Sequence, residues 1–146
     1  MARYLFTILS LLLFALFTGV NFAETAIPLK EPPPDKVLVA VLHKPKSCYR
    51  RASKGNTLTV HYIGKLFDKD TVFENTYELG QPKEMTLGKH MIVGFEYGLR
   101  DMCVGEKRRL IIPSDLAYGV RGNDIVPPNA AVVFEVELVK ISTLLT

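Results

Sequence analysis

The sequence is poor in the side chains on which metal, redox and nucleophilic chemistry depend. Three histidines and two cysteines are spread over 146 residues. His43, His61 and His90 match no metal-ligand spacing. No glycine–serine nucleophile elbow and no dinucleotide-binding glycine pattern is present. Gly88-Lys89 suggests a phosphate-binding loop, but position 83 is lysine where that pattern needs glycine, and no hydroxyl residue follows Lys89. Asp68-Lys69-Asp70 lacks the glycine and closing glutamate of a calcium loop. No Asn-x-Ser/Thr glycosylation acceptor occurs. No metal and no cofactor is expected.

A strong excess of one charge is also missing. Eighteen basic residues face fifteen acidic ones, a formal charge of +3. That balance is far from the basic footprint of a nucleic-acid-binding domain, and no nucleic-acid partner is expected. The one basic cluster, Lys44 to Lys54 with Lys46, Arg50 and Arg51, reads as a solvated face. Long apolar runs are absent except at the N-terminus. There Met1-Ala-Arg3 is followed by an apolar stretch, Leu5 to Phe17, interrupted only by Thr7 and Ser10, and then by small residues ending at Ala23. This is the pattern of a secretory signal peptide over residues 1–23, with cleavage after Ala23 or, failing that, after Gly19. Its core is short for a membrane span, although an uncleaved anchor is the rival reading. After cleavage no stable membrane association is expected. Behind a signal peptide, the even pair Cys48 and Cys103 reads as a disulfide. Leu144-Leu145-Thr146 is no retention signal, so lumenal residence and secretion are both open.

What is present is one domain's worth of hydrophobic core, at 48% apolar residues. Glu24 to Lys36 contains Pro32-Pro33-Pro34 and reads as an extended, mobile linker. Val37 to His43 is a β-branched strand. Thr57 to Phe67 alternates, with Leu58, Val60, Tyr62 and Leu66 on one face and Thr57, Thr59, His61 and Lys65 on the other, so His61 is expected at the surface. Short strands are expected at Val72 to Glu74 and Glu84 to Leu87. Ile92, Phe95, Leu99 and Met102 are spaced for one face of a helix, with Gly98 beside it to admit a neighbouring backbone. Val104-Gly105 breaks the helix before a strand over Lys107 to Ile112. Ser114 to Gly119 is a turn. Within the loop from Val120 to Asn129, Ile125 and Val126 are either a buried anchor or a ligand rim. Ala130 to Ile141 closes the chain as a strand. Low helix content and short connections predict an α+β fold, one twisted antiparallel sheet with one short helix across it. Aromatic and aliphatic residues on strand faces and loops read first as core, but Tyr118 and Ile125 lie in turn and loop regions and the Tyr62 and Tyr118 hydroxyls need partners if buried, which leaves open an apolar pocket with a few polar handles.

Val60 to Leu66, Leu87-Gly88, Gly94 to Leu99, Met102 to Arg108, Ile112-Pro113, Ala117-Tyr118-Gly119, Ile125 to Pro128 and Val133 to Leu138 together resemble the FKBP-type peptidyl-prolyl cis-trans isomerases. The likeness runs in order from about Val37 to Ser142, and the leader and cysteine positions resemble the secretory-pathway, endoplasmic-reticulum branch. The resemblance implies a five- to six-stranded antiparallel sheet wrapped around one short helix, occupying residues 37–142. It implies a Cys48–Cys103 bond. It implies a proline pocket of Tyr62, Phe73, Glu74, Ile92, Phe95, Tyr118, Ile125 and Phe134, with Met91 and Asn123 at the rim, Phe95 as floor and the Tyr118 hydroxyl donating to a substrate carbonyl. Four features depart from the family pattern. Glu74 replaces an aspartate, Phe95 stands where tryptophan is frequent, Lys83 replaces a rim aromatic, and the segment before Gly94 is one residue short. The implied activity is rotation of X-Pro bonds during folding of secretory proteins, in the endoplasmic reticulum lumen or after secretion. Proline-containing polypeptides are then the clients and macrolide immunosuppressants the possible ligands. The alternative is an FKBP-fold binding or chaperone module with weak isomerase activity.

Overall fold

The computed structural model describes residues 31–89 and 91–143. The expected signal peptide over residues 1–23, residues 24–30 of the expected linker, His90 and the C-terminal residues 144–146 lie outside the described residues. Six strands form one antiparallel sheet: β1 (Leu38–His43), β2 (Asn56–Leu66), β3 (Val72–Asn75), β4 (Lys83–Thr86), β5 (Lys107–Ile112) and β6 (Val132–Thr143). Their order is β1-β5-β6-β2-β3, and β4 also pairs with β2. β4 lies along the first half of β2, from Thr57 to Val60, and β3 along the second, from Ile63 to Lys65. The two longest strands, β2 and β6, pair at the centre from Asn56↔Thr143 to Leu66↔Val132.

Alternation explains the core. Leu58, Val60 and Tyr62 of β2, Leu110 and Ile112 of β5, and Val132, Phe134, Val136 and Leu138 of β6 are all buried in one cluster. Residues between them on the same strands, such as His61, Ile111 and Glu135, face the other side of the sheet. β1, at one end of the sheet, is exposed at all six positions, and half-buried Val37 just before it reaches the core instead.

One helix, α1 (Val93–Leu99), lies on the inner face and buries Phe95 and Leu99. Seven residues are too few for a stable isolated helix, so packing holds it in place. The sequence placed Met102 on the same helix. Instead the helix stops at Leu99, Arg100 turns extended with ψ 142°, and left-handed Asp101, φ 60°, completes the turn from which Met102 reaches the core. Gly98 admits the Leu110 side chain rather than a backbone, and Gly94 admits the side chain of Ile112. The last helical carbonyls have a partner that strand alternation did not reveal. The Arg108 guanidinium donates to the carbonyls of Gly98 and Arg100, both at 2.8 Å. Its Nε donates to buried Glu106 at 2.6 Å, whose carboxylate also accepts from the Cys103 amide. This network satisfies the helix C-terminus and places positive charge there.

Cys48 and Cys103 form a disulfide. A 3-10 turn at Ser114–Leu116 follows β5. β4 begins and ends one residue earlier than expected, and β6 runs from Val132 rather than Ala130. Among the described residues no helix is long and apolar enough to cross a membrane.

Candidate active site

The open side of the sheet–helix sandwich holds a cavity of about 280 Å³ lined by Tyr62, Met85, Met91, Ile92, Phe95, Tyr118 and Phe134. Each wall comes from a different element. β2 supplies Tyr62, β4 supplies Met85, and β6 supplies Phe134. The chain entering α1 supplies Met91 and Ile92, and α1 itself supplies Phe95. Tyr118 comes from the turn after the 3-10 segment.

The aromatic rings brace one another. Phe95 and Phe134 lie 4.7 Å apart at a tilt of 49°. Tyr62 meets both edge-on at 5.6 Å. Phe73 stands behind this ring, edge-on to Phe134 at 5.7 Å and to Tyr118 at 6.4 Å. Such edge-to-face pairs favour one fixed geometry over many loose ones. Gly64 permits it: a Cβ there would lie 2.7 Å from the Phe73 ring and 3.0 Å from that of Phe134. A glycine within an otherwise strong strand is the sequence signal for such a close approach.

The polar groups gather at Glu74. Burial pushes the Tyr62 phenol far above its ordinary range, and its hydrogen bond to the Glu74 carboxylate adds to the effect. Burial, followed by the Glu74 charge, raises the Tyr118 phenol. Both hydroxyls therefore stay protonated at physiological pH. Glu74 also accepts an ion pair from Lys83 Nζ at 3.2 Å. Two of the departures from the family pattern thus meet in one contact beside the cavity. Behind Tyr62, fully buried Thr76 fastens its backbone. The Thr76 hydroxyl accepts from the Tyr62 amide at 2.8 Å and donates to the Tyr62 carbonyl at 3.2 Å.

Not every residue named from the sequence lies on the cavity wall. Tyr62, Ile92, Phe95, Tyr118, Phe134 and Met91 do. Phe73 and Glu74 support it from behind and beside. Ile125 is 63% exposed and Val126 is fully buried, so the second of the pair is the anchor and the first is free. Asn123 does not line the cavity. Its side-chain carbonyl accepts from the amides of Ile125 at 2.9 Å and Val126 at 2.6 Å, folding the loop on itself. His61 is half-buried rather than free at the surface. Its ring stacks on Tyr77 at 4.4 Å, and Nδ1 lies 2.9 Å from the Thr76 hydroxyl. Met85, Gly64 and Thr76 were not picked out beforehand. Only Gly64 carried a sequence signal. The other two depend on strand register.

A sequence profile described as FKBP-type peptidyl-prolyl cis-trans isomerase matches residues 48–139. FK506-binding protein 2 of Kluyveromyces lactis is 42% identical over 135 residues, covering 91% of this chain and 89% of its own. FK506-binding protein 2 of Yarrowia lipolytica is 40% identical, covering 97% and 94%. Peptidyl-prolyl cis-trans isomerase FKBP14 of Homo sapiens is 40% identical over 75% of this chain and 53% of its own. Among solved structures, the N-terminal domain of FKBP42 from Arabidopsis thaliana superposes with a TM-score of 0.68 at 30% identity, over 77% of this chain and 91% of that one.

Proposed function

The chain belongs to the FKBP-type peptidyl-prolyl cis-trans isomerases, and we propose that the cavity between α1 and the sheet is where an X-Pro bond is bound and rotated. The observation that carries this reading is a cavity walled by Tyr62, Phe95, Tyr118 and Phe134 whose lining, among the described residues, contains no carboxylate, imidazole, hydroxymethyl or thiol group for bond cleavage. Prolyl rotation needs none. Its barrier of about 18–20 kcal/mol is the loss of amide resonance. The twisted amide is less polar than the planar one, so an apolar, water-poor site stabilises it relative to the ground state. Phe95 forms the floor under the proline ring, and Phe134 and Tyr62 hold its sides. The Tyr62 hydroxyl faces the Glu74 carboxylate as its acceptor. That leaves the Tyr118 hydroxyl as the donor to a substrate carbonyl, where one hydrogen bond strengthened on twisting lowers the barrier. Met91 stands at the rim.

The names of the yeast relatives extend the proposal to ligands: a macrolide such as FK506 competes for this cavity. Residues 1–23 and the disulfide support a secretory-pathway location, with folding polypeptides as clients.

The test is isomerisation of a proline tetrapeptide. Tyr118→Phe removes one hydrogen bond, worth about 0.5–1.5 kcal/mol, so kcat/KM falls roughly two- to thirteenfold. Phe134→Ala opens a wall and lowers it further, and a chaperone assay on an unfolded client without proline is unaffected. Full activity in both variants, with both still folded by their melting curves, removes this assignment. Suppression of client aggregation without any isomerase activity in the unmodified protein establishes the binding-module alternative.

A further inference from the structure

The loop after β1 concentrates the positive charge of the molecule. Between Lys44 and Lys54 stand Lys44, Lys46, Arg50, Arg51 and Lys54, with no acidic residue among them. Outside this stretch thirteen basic residues face fifteen acidic ones. All five are exposed, and none is ion-paired among the described residues. Arg51 makes one contact, from its guanidinium to the Asp101 carbonyl oxygen at 3.4 Å. The loop is nevertheless held. Cys48 is bonded to Cys103, Arg51 bridges to Cys103, and buried Ala52 exchanges backbone hydrogen bonds of 2.9 Å with Met102 and Asp101. At its tip Tyr49 is 98% exposed. An ordered loop that leaves five cations unneutralised is arranged for a partner that brings the opposite charge.

The end of this loop meets the cavity region. The stem of Lys54 lies over Gly88, where a Cβ would sit 3.3 Å from its Cε and Cγ. Gly88 adjoins Lys89, which lines an open groove of about 440 Å³ with Thr57, Glu84, Met85, Thr86 and Met91. Met85 and Met91 also line the aromatic cavity, so the groove adjoins the cavity along these two side chains. The groove runs beside β4, whose pairing partner is β2 alone, and it offers the Thr57 and Thr86 hydroxyls, 3.1 Å apart, to a passing backbone.

We propose that an extended client polypeptide with its proline in the aromatic cavity leaves along this groove and places an acidic segment on the Lys44–Lys54 loop. Glu84 on the groove wall disfavours acidic residues next to the proline. The selection therefore acts several residues away. The loop raises the capture of acidic clients and adds nothing to the rotation step. The inference rests on the isomerase reading of the cavity.

The experiment compares three peptides by magnetisation-exchange NMR: a proline tetrapeptide, the same core joined to a tract of glutamates through spacers of increasing length, and the corresponding lysine tract. At low ionic strength the glutamate peptide shows kcat/KM on the order of tenfold above the lysine peptide, through KM, at one favoured spacer. The ratio falls towards one at high salt and in K44Q/K46Q/R50Q/R51Q, which keeps the side-chain stems and the disulfide. Equal values for the two tracts, or a ratio kept in the variant, overturn the proposal. Fluorescence anisotropy of a glutamate tract without proline reads the loop separately. Should the tetrapeptide itself not be isomerised, the reading of the cavity fails while anisotropy still decides the loop. Binding to phosphatidylserine vesicles with no anisotropy change for the glutamate peptide makes the loop a membrane contact and also overturns it.

Discussion

Glu137 shows how one side chain on the outer face of the sheet links distant parts of the chain. It lies opposite His61 on β2. It accepts from the Tyr77 hydroxyl at 2.8 Å and from Lys107 at 3.0 Å. Burial alone would raise its carboxyl, but the Tyr77 and Lys107 donors outweigh that and hold it below the usual range. Tyr77 is moved the other way, pushed up to about 12 by burial and then by the hydrogen bond to Glu137. The signs differ accordingly. The Glu137 contribution is complete above the unfolded carboxylate pKa of about 4.3 and is lost as pH falls through the lower folded value. The Tyr77 contribution is complete below about 10 and is lost as pH rises toward the folded value. Glu137→Gln should lower Tm at pH 7 by roughly 2–4 °C, as expected of a partly exposed pair in a domain of this size. In a calorimetric series the gap between the two proteins narrows as pH falls below the ordinary carboxylate range. A gap unchanged from pH 7 to pH 3 would show that the carboxylate charge is not what stabilises this face. Alternation along β6 placed Glu137 on the polar face. Its partner Tyr77, sixty positions away, is set by the β2–β6 register and a loop, neither of which periodicity encodes.

The helix is the element on which fold and site depend together. α1 is short because it must fit on the sheet's inner face with Phe95 beneath the cavity and Leu99 in the core. Its glycines, four residues apart, let it approach β5 closely. A Cβ on Gly98 would lie 2.5 Å from Leu110 Cδ2 and 2.9 Å from its Cγ, and Leu110 is fully buried. Alanine is otherwise the better helix former by roughly 0.8–1 kcal/mol. Overpacking of a full core costs about 1–3 kcal/mol, so the clash wins at this position. Gly98→Ala should therefore destabilise the domain in urea titrations by up to about 2 kcal/mol net. A stabilised variant would mean that Leu110 yields without cost. The apolar spacing from Ile92 to Leu99 made the helix and its buried face legible. Its end was not, because the chain leaves the helix at Arg100 and turns left-handed at Asp101, where no glycine or proline marks it. The aromatic wall was legible through the family resemblance of Tyr62, Phe95, Tyr118 and Phe134. Met85 was not, since its place on the wall depends on how β4 registers against β2.

For the whole molecule, the disulfide decides how much of the chain remains ordered at the end of α1 away from the cavity. Cys48 and Cys103 are 55 residues apart in sequence, and their bond joins the basic loop to the turn that follows the helix. Closing a loop of that length removes unfolded-state entropy worth about 4 kcal/mol in the chain-entropy model. Domains of this size are stable by only about 5–15 kcal/mol, so the bond supplies a large share. The cavity walls come from β2, β4, β6, α1, the chain entering α1 and the turn at Tyr118, none of which lies within the loop from β1 to Cys48. Loss of the bond should thus separate stability from chemistry. In Cys48→Ala/Cys103→Ala the urea midpoint falls by roughly 2–3 M, from about 4 kcal/mol and a slope of about 1.5 kcal/mol per molar. At 15 °C and without denaturant, kcat/KM on the proline tetrapeptide changes by less than about twofold, because the rings around the cavity brace one another independently of the loop. A midpoint that barely moves would mean that the backbone bonds of Ala52 hold the loop unaided. A large loss of tetrapeptide turnover at an unchanged midpoint would mean that the turn at Cys103 positions Phe95 through the helix, and that the cavity is less self-supporting than its packed rings indicate.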